Sequence, residues 1–208
     1  MATPPVIQFA HADSPNAETI LSQYPDWALR MLCESNVYSN QNPLRGRTLR
    51  FQTPVEINLN RVPQALEATQ NIQAMTSGAV TFKIVDSDPS VGIVVVAGDA
   101  LNRDGVPGLG HVTSSREPQS AFAIKVQSNG TIQSRLYIHL GSAQRDYISE
   151  GFRPSSIAEH EIAHAIGLME HFPGFTGIEG VSLESLVTLT ALYRVPPGTD
   201  MSQFCKSE

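Results

Sequence analysis

The chain has 208 residues, 41% of them hydrophobic, which is enough for one domain around a packed core. Its net charge of -6 and the lack of any Lys/Arg cluster argue against a nucleic-acid binder. No apolar run reaches the roughly 18 residues that a membrane-spanning helix needs. Charged residues make up only 16% of the chain, which fits a secreted-type composition.

The N-terminal stretch "MATPPVIQFAHADSP" has no basic segment followed by an apolar one, so no signal peptide is expected in it. That leaves a cytosolic protein, or the mature form of an exported one. Residues 16–38 place Ile20, Leu21, Tyr24, Trp27, Ala28, Met31 and Leu32 at helical spacing. Pro25 interrupts them, so short helices are expected rather than one long one. Thr48 to Asn60 alternates with period two and reads as a strand, with Pro54 suggesting an edge or a bulge. Val62 to Met75 reads as a helix ended near Gly78. Strands are expected at Ala79 to Val85, at Val91 to Gly98, at Ala121 to Gln127 and, after the turn Ser128 to Gly130, at Thr131 to Leu140. A helix starts near Ser156, where Ser156 and Glu159 have capping-box spacing. A second amphipathic helix covers Ser182 to Arg194 and stops at Pro196 and Pro197. Two cysteines, Cys33 and Cys205, allow one disulfide and require none.

The segment "HEIAHAIGLMEH", His160 to His171, carries the chemistry. Residues four apart on a helix share one face, so His160 and His164 can grip one ion. Glu161 lies about 100° further round, able to touch water at that ion without ligating it. A catalytic zinc takes three protein ligands and keeps one open position, so one ligand is missing. Gly167 can end the helix and turn the chain back. Glu170 and His171 then become the near candidates, and both a carboxylate and an imidazole are acceptable to zinc. Ligand chemistry alone leaves the choice open.

The pattern H-E-x-x-H-x-x-G resembles the metzincin metalloendopeptidases, and "HAIGLMEH" is most similar to their matrixin branch. The commonest family pattern sets the third His three residues after the glycine, where this chain has Glu170. The resemblance therefore implies one inserted residue, with His171 as third ligand. "GTDMSQF", Gly198 to Phe204, resembles the family's methionine turn, with Met201 at its centre, although only seven residues follow it. "GDALNRDGVPGLGHV", Gly98 to Val112, looks like the matrixin loop that binds structural zinc and calcium. On that likeness Asp99, His111 and His139 match structural-zinc ligands, and Asp104 a calcium ligand. Ala97 stands where a further zinc-binding His is expected. The plainer reading is that the glycines shape a loop and the two histidines are packed or exposed residues.

The resemblance implies an α/β (α+β) metzincin-like fold of two lobes: a twisted mixed sheet with an active-site helix, and a smaller C-terminal lobe. Residues 1–47 would be an N-terminal extension with short helices, and 48–208 the catalytic domain. Arg135 to Leu140 would form the cleft rim as an edge strand, able to pair with an extended peptide. The implied function is a zinc-dependent endopeptidase in which Glu161 is the general base and His160, His164 and His171 hold Zn2+. A second metal, Ca2+ or structural Zn2+, belongs to the glycine-rich loop. The expected partner is a protein or peptide substrate, with no nucleic acid and no membrane, and the chain is expected to be a monomer in a secreted or periplasmic setting. The alternative is a zinc-binding interaction module without catalysis.

Overall fold

The computed structural model describes residues 16–97, 110–118, 120–141, 156–176 and 181–205. Five strands form one mixed sheet in the order β2-β1-β3-β5-β4. They are β1 (Val55–Asn58), β2 (Phe82–Ile84), β3 (Gly92–Ala97), β4 (Gly110–Thr113) and β5 (Arg135–Leu140). β2, β1, β3 and β5 run parallel, and β4 closes one edge antiparallel to β5. The α-helices among the described residues are α1 (Ala17–Leu21), α2 (Asp26–Leu32), α3 (Pro63–Met75), α4 (Ser156–Ala165) and α5 (Leu183–Arg194). The molecule is thus mixed α/β, as expected, and no helix among the described residues is long and apolar enough to cross a membrane.

The central strands show why this sheet is buried. β3 carries Ile93, Val94 and Val95 with no exposure, and β5 carries Leu136 and Ile138 likewise. Parallel strands covered on both faces read as continuous apolar runs, and "GIVVVA" is such a run. α4 lies against β4, β5 and α3, and α5 lies against α2. One apolar cluster joins the sheet, α4 and α5 to residues from the N-terminal segment: Leu21, Leu29, Leu32, Cys33 and Val37. Residues 16–47, expected as an extension, thus supply part of the same core.

Several expected elements are shorter or placed differently. β5 is an interior strand between β3 and β4, so the expectation of an edge at Arg135 to Leu140 is corrected. The edge on this side is β4, most of whose residues belong to the glycine-rich stretch Gly98 to Val112. Four residues following glycines carry too little periodic signal to reveal a strand. Of Thr48 to Asn60, only Val55–Asn58 pairs as a strand, and that strand is interior. Pro54 lies just before it, where its missing N–H removes no ladder bond. Ala121 to Gln127 is not a strand; it contributes a single bridge, Val126 to Ile132. Pro25, as expected, separates α1 from α2 and stands at the N-cap of α2.

α2 continues into one wide π-helical turn, Cys33–Val37. A helix end leaves carbonyls without partners inside the helix. Here the buried Asn42 supplies donors: its Nδ2 reaches the carbonyls of Asn36 (2.9 Å), Val37 (3.1 Å) and Arg47 (2.9 Å). The same turn is pinned from the other end of the sequence by a disulfide between Cys33 and Cys205, whose Cα atoms lie 5.6 Å apart. The closed loop spans 172 residues, and a cross-link over so long a loop strongly restricts the unfolded chain. Replacing both cysteines by serine should lower unfolding stability by about 2–5 kcal/mol. Urea denaturation of the two forms checks this, and equal midpoints would refute it.

Candidate metal centre

α4 opens at Ser156, as expected, and is buried along most of its length. Glu159 faces α3 and accepts a hydrogen bond from Asn71 Nδ2 at 2.7 Å. The next turn presents His160, Glu161 and His164 to the opposite side, toward β4 and the cleft. Past Ala165 the helix closes in a Schellman arrangement. Gly167 N donates to His164 O (3.1 Å) and Leu168 N donates to Ala163 O (3.0 Å). Gly167 has φ +132°, and a Cβ there would lie 2.8 Å from Leu192 Cδ2 and 3.1 Å from Leu49 O. Neither the backbone nor the space admits a larger residue.

The turn brings His171 back over the helix. The Nε2 atoms of His160, His164 and His171 form a near-equilateral triangle with sides of 3.1, 3.0 and 3.2 Å. Glu170 points the other way and accepts a hydrogen bond from Ser39 Oγ at 2.8 Å. The residue pair left open by ligand chemistry is therefore separated by the fold: the imidazole faces the cluster and the carboxylate faces the N-terminal segment.

A cation fits this donor set. His164 Nδ1 lies 2.5 Å from Leu168 O. A carbonyl only accepts, so that nitrogen carries the proton and Nε2 keeps its lone pair. The other two imidazoles carry at most one hydrogen each on Nε2, which gives at most two N–H groups for three close N···N contacts, so no arrangement of protons satisfies all three. An ion about 2.0–2.1 Å from each nitrogen in tetrahedral geometry sets them roughly 3.3 Å apart, near the observed triangle. Burial, reinforced by the neighbouring imidazoles, pushes His160 down to about 4 and His164 down to about 3. Both are then neutral, lone-pair donors at physiological pH. These residues form the one group of three metal-ligating side chains found among the described residues.

Two further residues, absent from the motif, shape the site: Phe175 and Gly110. Phe172-Pro173-Gly174-Phe175 makes a tight turn, with Gly174 at φ +87° and Phe175 N donating to Phe172 O (2.8 Å). The turn folds Phe175 under the histidines, its ring centroid 4.5 Å from that of His160 and 4.7 Å from that of His164. Pro-Gly between two phenylalanines was the available signal. Gly110 of β4 is the other. A Cβ at this position would come within 2.7 Å of Glu161 Cγ and 2.9 Å of its Oε1, so the edge strand lies directly on the carboxylate. Burial pushes Glu161 up to about 8. The cleft has a volume of about 410 Å³ and is walled by β4, Phe122, Ile157 and Met169, with Gln41 from the N-terminal segment at its margin.

The other expected positions behave differently. His111 and His139 sit opposite each other in the β4–β5 ladder with rings stacked at 5.0 Å. His111 Nε2 lies 2.6 Å from Pro118 O, and His139 Nε2 lies 3.0 Å from Thr113 Oγ1. These contacts engage the Nε2 atoms with protein partners. Asp99 and Asp104 lie outside the described residues, so their side of the loop is not seen. Met201 is fully buried, with its N–H donating to Gly46 O (2.9 Å) and its carbonyl accepting from Phe204 N and Cys205 N. No protein-family model matches the chain, and a search of curated proteins returns no match.

The titrations give the metal-free protein a defined pH profile. His160 and His164 have folded values below the ordinary 6.5, so the unfolded chain binds more protons there and stability falls as pH drops below about 6.5. Glu161 has a folded value raised from 4.5 to about 8, so its contribution, full below 4.5, is lost as pH rises through about 8. Thermal melts of chelator-treated protein should show a falling midpoint between pH 6.5 and 8. Glu161→Gln should flatten that fall, and an equal fall in the variant would contradict the assignment.

Proposed function

We propose that the chain is a zinc-dependent endopeptidase of metzincin type, with a two-lobed catalytic domain and a monomeric working form. The observation that carries this reading is the convergence of three imidazole Nε2 atoms to within 3.2 Å, beside a buried carboxylate in an open cleft. His160, His164 and His171 would hold the ion. Zinc bound there supplies Lewis acidity, which makes water ionisable near neutral pH and polarises a carbonyl.

Glu161 is the base. Its carboxyl is neutral when burial acts alone, and a nearby positive charge favours the carboxylate. As carboxylate it takes a proton from water and later returns it to the leaving amine. β4 supplies a strand edge along the cleft that is unpaired among the described residues, and an extended peptide adds to such an edge through main-chain hydrogen bonds. Glycine at 110 lets that edge approach Glu161 without a side chain between them. Phe175, fully buried, packs its ring against His160 and His164, with Phe172 beside it. The Cys33–Cys205 disulfide supports a secreted or periplasmic setting, where such bonds persist.

Elemental analysis should find about one zinc per chain, and casein cleavage should stop on chelation. Glu161→Gln should retain zinc and lose about 10²–10⁴ in rate, the usual size of a general-base contribution. Zinc bound without any cleavage by the native chain would leave the interaction-module alternative. A separate check comes from the strand. Gly110→Ala forces the Glu161 side chain to shift, so cleavage should drop by about tenfold or more with zinc content unchanged. Native rates in that variant would remove β4 from the catalytic arrangement.

A further inference from the structure

His171 differs from the other two histidines. It is exposed, and it sits on a turn rather than on the helix. A ligand on a turn must be held by something other than helical hydrogen bonds. Each residue leading to it has a tie. Ile166 O accepts from Tyr193 Oη (2.9 Å), and Gly167 O accepts from Asn36 Nδ2 (2.7 Å). Leu168 O meets His164 Nδ1, and Met169 N donates to Ser35 O (2.8 Å). Glu170 accepts from Ser39 Oγ. Three of these five ties come from residues 35–39, the part of the chain that the metzincin resemblance does not explain.

We propose that Ser39 and Glu170 form a latch, backed by Ser35 and Asn36, that positions His171 for the metal. This rests on the zinc-site reading. Neighbouring residues of an extended chain point to opposite sides, so fixing the Glu170 side chain on one side directs the His171 imidazole to the other. The latch has a defined direction. Ser39 Oγ already accepts from Gln41 N (3.1 Å), which leaves its single proton for the carboxylate. Ser39 is only 2% exposed, so the bond is shielded from competing water. Asn36 holds the base of the latch. It is fully buried, and its amide donates to Leu49 O (2.7 Å) and Gly167 O while its Oδ1 accepts from Leu49 N (2.9 Å). Ser39 and Glu170 are positioning residues, because neither touches the metal position or the substrate. Without the latch the imidazole is less ordered before binding, and the entropy of ordering it is then charged against zinc affinity.

Zinc affinity measured by competition with a chromophoric chelator tests this, beside thermal melts of the metal-free proteins. The set comprises the native chain, Ser39→Ala, Glu170→Ala, Glu170→Gln, the double alanine variant and His171→Ala. Ser39→Ala and Glu170→Ala should each bind zinc about tenfold more weakly, the low end for partners outside the ligand set. The double variant should bind no more weakly than either single one, since both remove one interaction. Glu170→Gln keeps an acceptor oxygen and should stay near the native affinity. Native affinity in both single variants, with affinity lost in His171→Ala, would overturn the latch alone. Lower melting temperatures with unchanged affinity would do the same, assigning the pair a purely structural role. Native affinity in His171→Ala would overturn the zinc-site reading together with the latch.

Discussion

The close of α4 at Gly167 is the constraint on which the rest of the site depends. Two histidines on consecutive helical turns can meet one ion, but a third ligand has to come back from outside the helix. The Schellman bonds from Gly167 and Leu168 reverse the chain within two residues. Space as well as backbone requires glycine there, since Leu192, Asn36 and Leu49 crowd the missing Cβ. The glycine therefore couples three parts of the molecule: α4, α5 through Leu192, and the N-terminal π-helical turn through Asn36.

That coupling concentrates desolvated polar groups in a small region. His160, Glu161, Glu159, Asn36 and Asn42 are all buried, and a buried polar group without a partner is costly. Asn36, Asn42 and Glu159 are compensated by hydrogen bonds within the protein. The histidine cluster is compensated only in part. His160 Nδ1 has no hydrogen-bond partner among the described residues, and the three Nε2 atoms share too few protons to satisfy one another. The same burial that penalises charge keeps His160 and His164 neutral and the Glu161 carboxyl protonated. The groups whose environment is least favourable are those to which the chemistry is assigned, in keeping with the tendency of perturbed titrations to gather at functional sites.

The sheet sets where that chemistry meets solvent. With β5 interior, Leu136, Ile138 and Leu140 pack on one face and the buried Tyr137 and His139 on the other, and the short antiparallel β4 becomes the rim. Gly110 brings this rim onto Glu161, while His111 pairs with His139 on the neighbouring strand. Edge pairing, carboxylate and histidines thus adjoin because α4 packs against β4 and β5 rather than against the middle of the sheet.

Much of this was legible in the chain. Helical spacing announced α3, α4 and α5, the apolar run announced β3, and H-E-x-x-H with a following glycine announced the histidine pair and the turn. These signals are local, set by side-chain period and by the backbone preferences of Gly and Pro. Strand order was not legible: the alternation in Arg135 to Leu140 suits an edge or an interior strand equally, and only the neighbours decide. Nor could ligand chemistry separate Glu170 from His171. Resemblance favoured His171, but the direction of each side chain depends on Ser39, some 131 residues away in sequence. Asn36 and Gly110 carried no signal of their own, because each acts through contacts with residues remote in sequence; for Phe175, Pro-Gly announced the turn but not the histidine rings it packs against. Local patterns limited which residues could ligate and where the helix had to stop. Tertiary structure decided which of them face one another, since that depends on hydrogen bonds and packing between segments no local pattern encodes.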